Sequence, residues 1–203
     1  MRDAAHWSPT EALPRGELDA LQLRRLQALL VFLWKEKPFY RERLEAAGVR
    51  PDTLRRLDDL RAIPFTEKAD LLEWEARGLG PPPEQVVRWH QTSGTTGMPI
   101  RVGDTREDWY AYGDLSAAAL YGMGIRQGDT VLPAFSYGPH IAFWAYIQAV
   151  ERIGAALVPA GGLTSQARVA LLRDYRATVL LCTPSYSLHL HEVAAGMGLD
   201  PRR

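Results

Sequence analysis

Thr130-Val-Leu-Pro-Ala-Phe135, the run Ile141 to Ile153 closed by Gly154, and Ala155-Ala-Leu-Val158 together read as strand, helix, strand. The outer segments are short, apolar and partly β-branched, whereas the middle one is long enough for a three-turn helix with a glycine at its end. The pattern repeats downstream, where a helix is expected from Ser165 to about Tyr175. Thr178-Val-Leu-Leu-Cys182 follows as an uninterrupted apolar run, the mark of a strand covered on both faces, and a last helix begins at Pro184. Strands alternating with crossover helices predict a parallel, doubly wound sheet. In such sheets ligands bind outside the carboxyl ends of the strands, which directs attention to residues 91–98, 136–140, 159–164 and 183–187.

Upstream of this block the chain changes style. Residues 8–80 alternate charge with Leu and Trp and read as helices. Ser8-Pro9 is read as the cap of a first helix, with Leu18, Leu21, Leu26, Leu29, Leu30 and Leu33 forming its apolar stripe. Pro38 opens a second helix that ends at Gly48, and Thr66 is expected to cap a third that runs to about Arg77. Gly78-Leu-Gly-Pro-Pro-Pro83 is a stiff connector. Val86 to Gln91 and Pro99 to Val102 read as strands, and Thr105-Arg-Glu-Asp108 as a capping box that opens a helix to about Tyr121. The expected fold class is α/β, with N-terminal helices packed on a mostly parallel β-sheet with crossover helices. The division is a helical segment, 1–84, and an α/β segment, 85–203, both parts of one incomplete large domain.

Composition narrows the function. The 203 residues carry 24 Lys plus Arg against 24 Asp plus Glu, so no overall charge draws the chain to nucleic acid or to an anionic membrane. The longest apolar stretch, Leu26 to Trp34, contains Gln27 and falls short of the ~20 residues that span a bilayer. The N-terminus lacks the apolar core of a signal peptide, and the single cysteine, Cys182, has no partner for an intrachain disulfide. The expected compartment is the cytoplasm, with no nucleic-acid and no membrane partner. Ala134-Phe-Ser-Tyr-Gly138 lacks the first glycine of a nucleophile elbow, which argues against a hydrolase. His189 and His191 stand two apart on a helix and face different directions, so no metal site is expected there. His90 reads as a structural residue, and the pairs Arg24-Arg25 and Arg55-Arg56 as solvated helix charges.

Thr92-Ser-Gly-Thr-Thr-Gly97 follows a strand and offers hydroxyls, free amides and small residues through which backbone can approach a phosphate. By itself a Ser/Thr/Gly hexapeptide is as easily a plain turn, and no Gly-Lys-Ser/Thr follows to make it a Walker loop. In context, Gln91-Thr-Ser-Gly-Thr-Thr-Gly-Met-Pro99 resembles the phosphate signature of the acyl-adenylate-forming enzymes, commonly Ser-Ser-Gly-Thr-Thr-Gly-Lys-Pro. Within that superfamily the chain looks most like the phenylacetate-CoA ligases. Lys37-Pro-Phe-Tyr-Arg-Glu-Arg-Leu44, Ile63-Pro-Phe-Thr66, Ser136-Tyr-Gly138, Pro159-Ala-Gly-Gly162 and Thr183-Pro-Ser-Tyr186 match that family in order and spacing, over nearly the whole chain.

The resemblance implies ligation of a carboxylate to coenzyme A in two steps. The acid attacks the α-phosphate of ATP to give an acyl-AMP and pyrophosphate, and the thiol of coenzyme A then displaces AMP. It implies that Thr92, Ser93, Gly94, Thr95, Thr96 and Gly97 cradle the phosphates, with Mg2+ on them, and that Tyr137, Gly138, His140, Gly161 and Gly162 border the pocket of an aromatic carboxylate. Two departures stand out. Met98 replaces the signature lysine and brings neither charge nor donor; it packs, or Arg101, three residues on, supplies the missing charge. His140, Phe143, Trp144 and Tyr146 occupy a run that is richer in glycine in the family, which implies a reshaped cavity; Ile147 reads as core. The family's adenine, ribose and catalytic-lysine elements find no match here, so no catalytic residue is assigned. The chain alone is expected to be inactive and to associate, with itself or with a second half. The alternative is a non-catalytic nucleotide- or acyl-binding module, or an assembly partner, descended from such a ligase.

Overall fold

The computed structural model describes residues 5–94 and 97–200. They form two compact units: residues 8–80, and residues 5–7 with 81–200.

The first unit is helical. Ser8 does cap, but only a single 3-10 turn, Pro9–Ala12. Helix α1, Arg15–Glu36, starts after Pro14, because Leu13 and Pro14 are both extended and break the path between the two. Helix α2 spans Pro38–Ala46 and α3 spans Lys68–Ala76. The cap of α3 is Glu67 rather than Thr66. The Asp70 carboxylate reaches back to accept from the Glu67 N–H at 2.7 Å, and this sets the register one residue later. The same carboxylate is gripped by both terminal nitrogens of Arg43, at 2.7 and 2.8 Å. Leu30, Leu44, Val49 and Leu54 make the core, with Leu26 and Leu33 of the predicted stripe against it. Leu29 lies largely in solvent.

In the second unit, β3 (Thr130–Pro133) is central in a three-stranded parallel sheet of order β4-β3-β5, with β4 at Ala156–Leu157 and β5 at Val179–Leu181. All three strands are shorter than the apolar runs that announce them. Side chains alternate across a strand, so Val131 and Leu132 face opposite ways. Val131 joins a core with Ala117 and Leu120 of α4 (Arg106–Gly122) and Ala149 and Val150 of α5 (Ile141–Ile153). Leu132 joins a second core with Val169 of α6 (Ser165–Asp174) and Leu190 and Ala194 of α7 (Pro184–Gly196). The sheet is thus doubly wound. The chain leaves β3 toward one face and β5 toward the other, and a crevice opens between those two exits.

The strands before α4 do not join this sheet. Strand β1, Val86–Gln91, pairs antiparallel with β2, Arg101–Thr105, as a separate ribbon. The expected sheet is mostly parallel, and this ribbon is its antiparallel exception; the second strand moves from Pro99–Val102 to Arg101–Thr105. Pro99 has no N–H to give a ladder, so pairing begins beyond it, at Gln91 opposite Arg101. The capping box forms as read: Asp108 N–H donates to Thr105 Oγ1 at 3.2 Å, and Thr105 N–H to Asp108 Oδ2 at 3.0 Å.

Leu132 is completely buried while Leu188 on α7 is 68% exposed. Leu132→Ala is expected to lower the unfolding free energy by about 2–5 kcal/mol, and Leu188→Ala to change it by less than about 0.5 kcal/mol. Urea unfolding of the two variants beside the parent measures both.

Candidate functional site

The loop Thr92–Gly97 is the turn of the β1–β2 hairpin, and its base is closed by two bonds between the same residues. Thr92 N–H donates to the Ile100 carbonyl at 3.0 Å, and Ile100 N–H donates to Thr92 Oγ1 at 3.0 Å. The Thr92 side chain is therefore committed to holding the loop's neck. Within the turn, Gly97 N–H donates to the Gly94 carbonyl at 3.0 Å. Gly94 has φ +68°, and a Cβ there would sit 3.0 Å from the Gly97 oxygen and 3.2 Å from Pro99. Glycine is needed at 94 for both reasons. Ser93 is exposed above the neck. Thr95 and Thr96 lie outside the described residues. Met98 does not pack: it is 71% exposed. Arg101 lies on β2 opposite Gln91, in the pair next to the loop's neck.

The hairpin is fastened to the loop between β3 and α5 at one oxygen. The Pro139 carbonyl accepts from Gln91 N–H at 3.0 Å and faces His90 Nδ1 at 3.2 Å. His90 is buried, as a structural histidine should be, with its Nε2 3.1 Å from Asp104 Oδ2. Burial pushes the Asp104 carboxyl above its ordinary range and Asp108 adds to this, while His90 and Arg88 pull the other way. Arg88 itself lies between two indoles, 4.3 Å from the Trp109 ring and 5.0 Å from that of Trp144.

Of the residues expected around an acyl pocket, the structure brings Tyr137 and Gly161 into contact. A Cβ on Gly161 would fall 1.8 Å from Tyr137 Cδ2, so the ring rests directly on the glycine backbone. The Tyr137 ring also stands 5.3 Å from Trp144, whose Nε1–H donates to the Gly138 carbonyl at 2.8 Å. His140 is the exposed N-cap of α5, with its ring 5.1 Å from Phe143. Gly162 is in the left-handed region, with φ +73° and open space where a Cβ would stand.

The crevice at the sheet's switch point has a volume of about 450 Å³. Phe135 and Phe143, stacked 4.6 Å apart, form one wall, and Thr183, Ser185 and His189 line the other. At its base is Arg168, which is 6% exposed. Its Nε donates to the Ala160 carbonyl at 3.0 Å, Nη2 to Phe135 at 2.9 Å, and Nη1 to Ala134 at 3.4 Å and to Tyr186 Oη at 2.8 Å. One guanidinium thus ties the exits of β3 and β4 to the first turn of α7. Tyr186 Oη extends the network to Ser165 Oγ at 3.0 Å, which meets His189 Nε2 at 3.2 Å. Sequence reading passed over Arg168. Its signal was a charge on the core-facing stripe of α6, beside Val169 and four residues before Leu172. Among the described residues no cluster of three His, Cys, Asp or Glu side chains could hold a metal ion.

Two substitutions test this construction. Arg168→Met strands the carbonyls that the guanidinium serves and is expected to cost on the order of 3 kcal/mol in urea unfolding. Gly161→Ala must displace the Tyr137 ring at its root and is expected to cost about 1–3 kcal/mol, with a changed near-UV dichroism from Tyr137 and Trp144.

No family model matches the chain. It is 39% identical over 192 residues to the phenylacetate-coenzyme A ligase of Thermus thermophilus, and 37% identical over 185 residues to that of Escherichia coli. These alignments cover 94% and 91% of this chain but 43% and 42% of those proteins, so the chain spans less than half the length of the curated relatives it matches. Among solved structures, 2-hydroxyisobutyryl-CoA ligase in complex with 2-HIB-AMP and CoA in the thioesterification state superposes on all of this chain, and on 46% of its own, with a TM-score of 0.88 and 33% identity. An open conformation of the same ligase gives 0.86 over 94% of this chain. In sequence this chain is the counterpart of the N-terminal half of the phenylacetate-CoA ligases, and its fold is that of the adenylate-forming CoA ligases.

Proposed function

We propose that this chain supplies the phosphate loop and the acyl-binding crevice of an ATP-dependent acid–CoA ligase that works through an acyl-AMP. The observation that carries the reading is the match of the whole chain, at 33% identity, to a CoA ligase solved with both an acyl-AMP and CoA. The hairpin turn 92–97 serves as the cradle for the phosphates of ATP. Thr92 shapes its neck, Gly94 and Gly97 let backbone amides approach, and Ser93 offers a hydroxyl; Thr95 and Thr96 complete the set. Fixed donors of this kind stabilise the charge that develops on the departing pyrophosphate without reorganising during the reaction. Mg2+, when bound, neutralises charge on the phosphates, and in this reading it is carried in by the nucleotide.

The acid is an aromatic carboxylate. Support comes from the rings that gather beside the cradle: Phe135 on Phe143, Tyr137 against Trp144, and Tyr146 6.3 Å from Phe135. Tyr137, resting on Gly161, and Gly138, His140 and Gly162 are assigned to the border of that pocket, next to Ser136 of the crevice lining. The Pro139 carbonyl links this border to the cradle, so acid and phosphate are held by one connected piece of backbone. That linkage favours the in-line attack of the carboxylate on the α-phosphate that adenylyl transfer needs. Val87 and Trp89 form an apolar outer face on the ribbon and support association with another copy or with a second polypeptide. None of the described helices is long and apolar enough to cross a membrane.

The cradle can be tested without turnover. Pyrophosphate is expected to bind the 203-residue chain with a dissociation constant on the order of 1 mM, or about −4 kcal/mol. Met98→Lys restores a charge-assisted donor worth roughly 1.5–3 kcal/mol, which is about a tenfold to hundredfold gain that shrinks with added salt. Calorimetric or NMR titration of both proteins at two ionic strengths decides the matter. Equal affinities would remove the phosphate role from this loop.

A further inference from the structure

The tie between the cradle hairpin and the β3–α5 loop dictates where protons must sit. A carbonyl oxygen only accepts, so the Pro139 oxygen, 3.2 Å from His90 Nδ1, requires a proton on that nitrogen. The other ring nitrogen, Nε2, is 3.1 Å from Asp104 Oδ2. Both atoms are buried, and neither makes a hydrogen bond, with the other or with any third group. A neutral ring protonated on Nδ1 turns a lone pair toward Asp104, and an ionised carboxylate turns lone pairs back. Two buried electron-rich atoms at that distance repel each other and remain unsolvated. One additional proton removes both penalties, whether it resides on the ring or on the carboxyl.

We infer that His90 and Asp104 hold one proton in common, and that this proton maintains the tie at Pro139 and so makes His90 a positioning residue for the phosphate loop. The positioning role rests on the function proposed above; the shared proton does not. The surroundings agree with it. From β1, Arg88 favours an ionised Asp104; from α4, Asp108 opposes that. Tyr112, also on α4, keeps its own proton more firmly through burial and through the charge of Asp104 and Asp108. Trp109 stacks near the His90 ring at 5.6 Å and brings no charge, and the β3–α5 loop presents only the Pro139 carbonyl. The net influence on Asp104 is upward, with burial as its main cause. In the unfolded chain the pair already holds one proton, on the histidine, until pH reaches the ordinary imidazole range of about 6.5, and only above it does the folded chain bind more protons than the unfolded one. Stability therefore falls as pH rises past the ordinary imidazole range, and levels off once the pair has given up its proton.

Asp104→Asn is the discriminating variant. The amide has nearly the same shape and donates to a neutral Nε2 with no proton to lose. Urea unfolding of the parent chain, from about pH 5 to about pH 9, is expected to show the folding constant declining by up to about tenfold per pH unit within the titration window. In Asp104→Asn that decline is absent. Ring nitrogen NMR of the parent is expected to show His90 Nδ1 protonated throughout. A neutral ring carrying its proton on Nε2 alone, or parallel pH profiles in the two proteins, overturns the shared proton. For the positioning role, pyrophosphate affinity of the parent is expected to drop several-fold further across the window than that of Asp104→Asn. Equal drops overturn it. If neither protein binds pyrophosphate at any pH, the cradle reading and the positioning role fall together, while unfolding and NMR still decide the proton.

Discussion

Everything at the carboxyl end of the sheet hangs on one buried guanidinium. Three carbonyl oxygens, those of Ala134, Phe135 and Ala160, lie where strands have ended and can no longer be served by a ladder. Left alone, each would be a buried acceptor without a donor, which is costly. Arg168 serves all three and adds the Tyr186 hydroxyl. Its planar fork fixes the relative direction of the chain leaving β3 and the chain leaving β4. The crevice keeps its shape because its rim is bonded to a single rigid group from beneath.

The second constraint runs through the Pro139 carbonyl. It holds the β1–β2 ribbon, which belongs to no larger sheet, against the loop that follows β3. A free two-stranded ribbon is marginal in water, so its order comes from what it is attached to. Arg88 between Trp109 and Trp144, and the buried His90–Asp104 pair, supply the rest of that attachment. The hairpin turn is thereby positioned by groups several residues away from it.

Much of this was legible in the sequence because the signals were local. The apolar runs at 130–135, 155–158 and 178–182 marked the three strands of the parallel sheet, and the Thr105–Asp108 box fixed where α4 begins. The errors arose where long-range partners outweighed local ones. Thr66 lost the cap of α3 because Asp70, anchored by Arg43, pairs with the Glu67 N–H. The ribbon's direction depends on pairing across its own turn, which periodicity does not encode. Arg168 and Asp104 were harder still. Each is a charge at an inward position, and only tertiary structure reveals the partners that make such burial tolerable.

The contact of the Tyr137 ring with the backbone of Gly161 makes these two positions a single unit of volume. A larger residue at 161 is admissible only if a smaller one takes the place of the tyrosine, since the two occupy the same space. A change of volume at this pair is therefore a two-step path whose first step, taken from the glycine side, is the damaging one. Chains that reshape this contact must shrink residue 137 first and fill residue 161 afterwards.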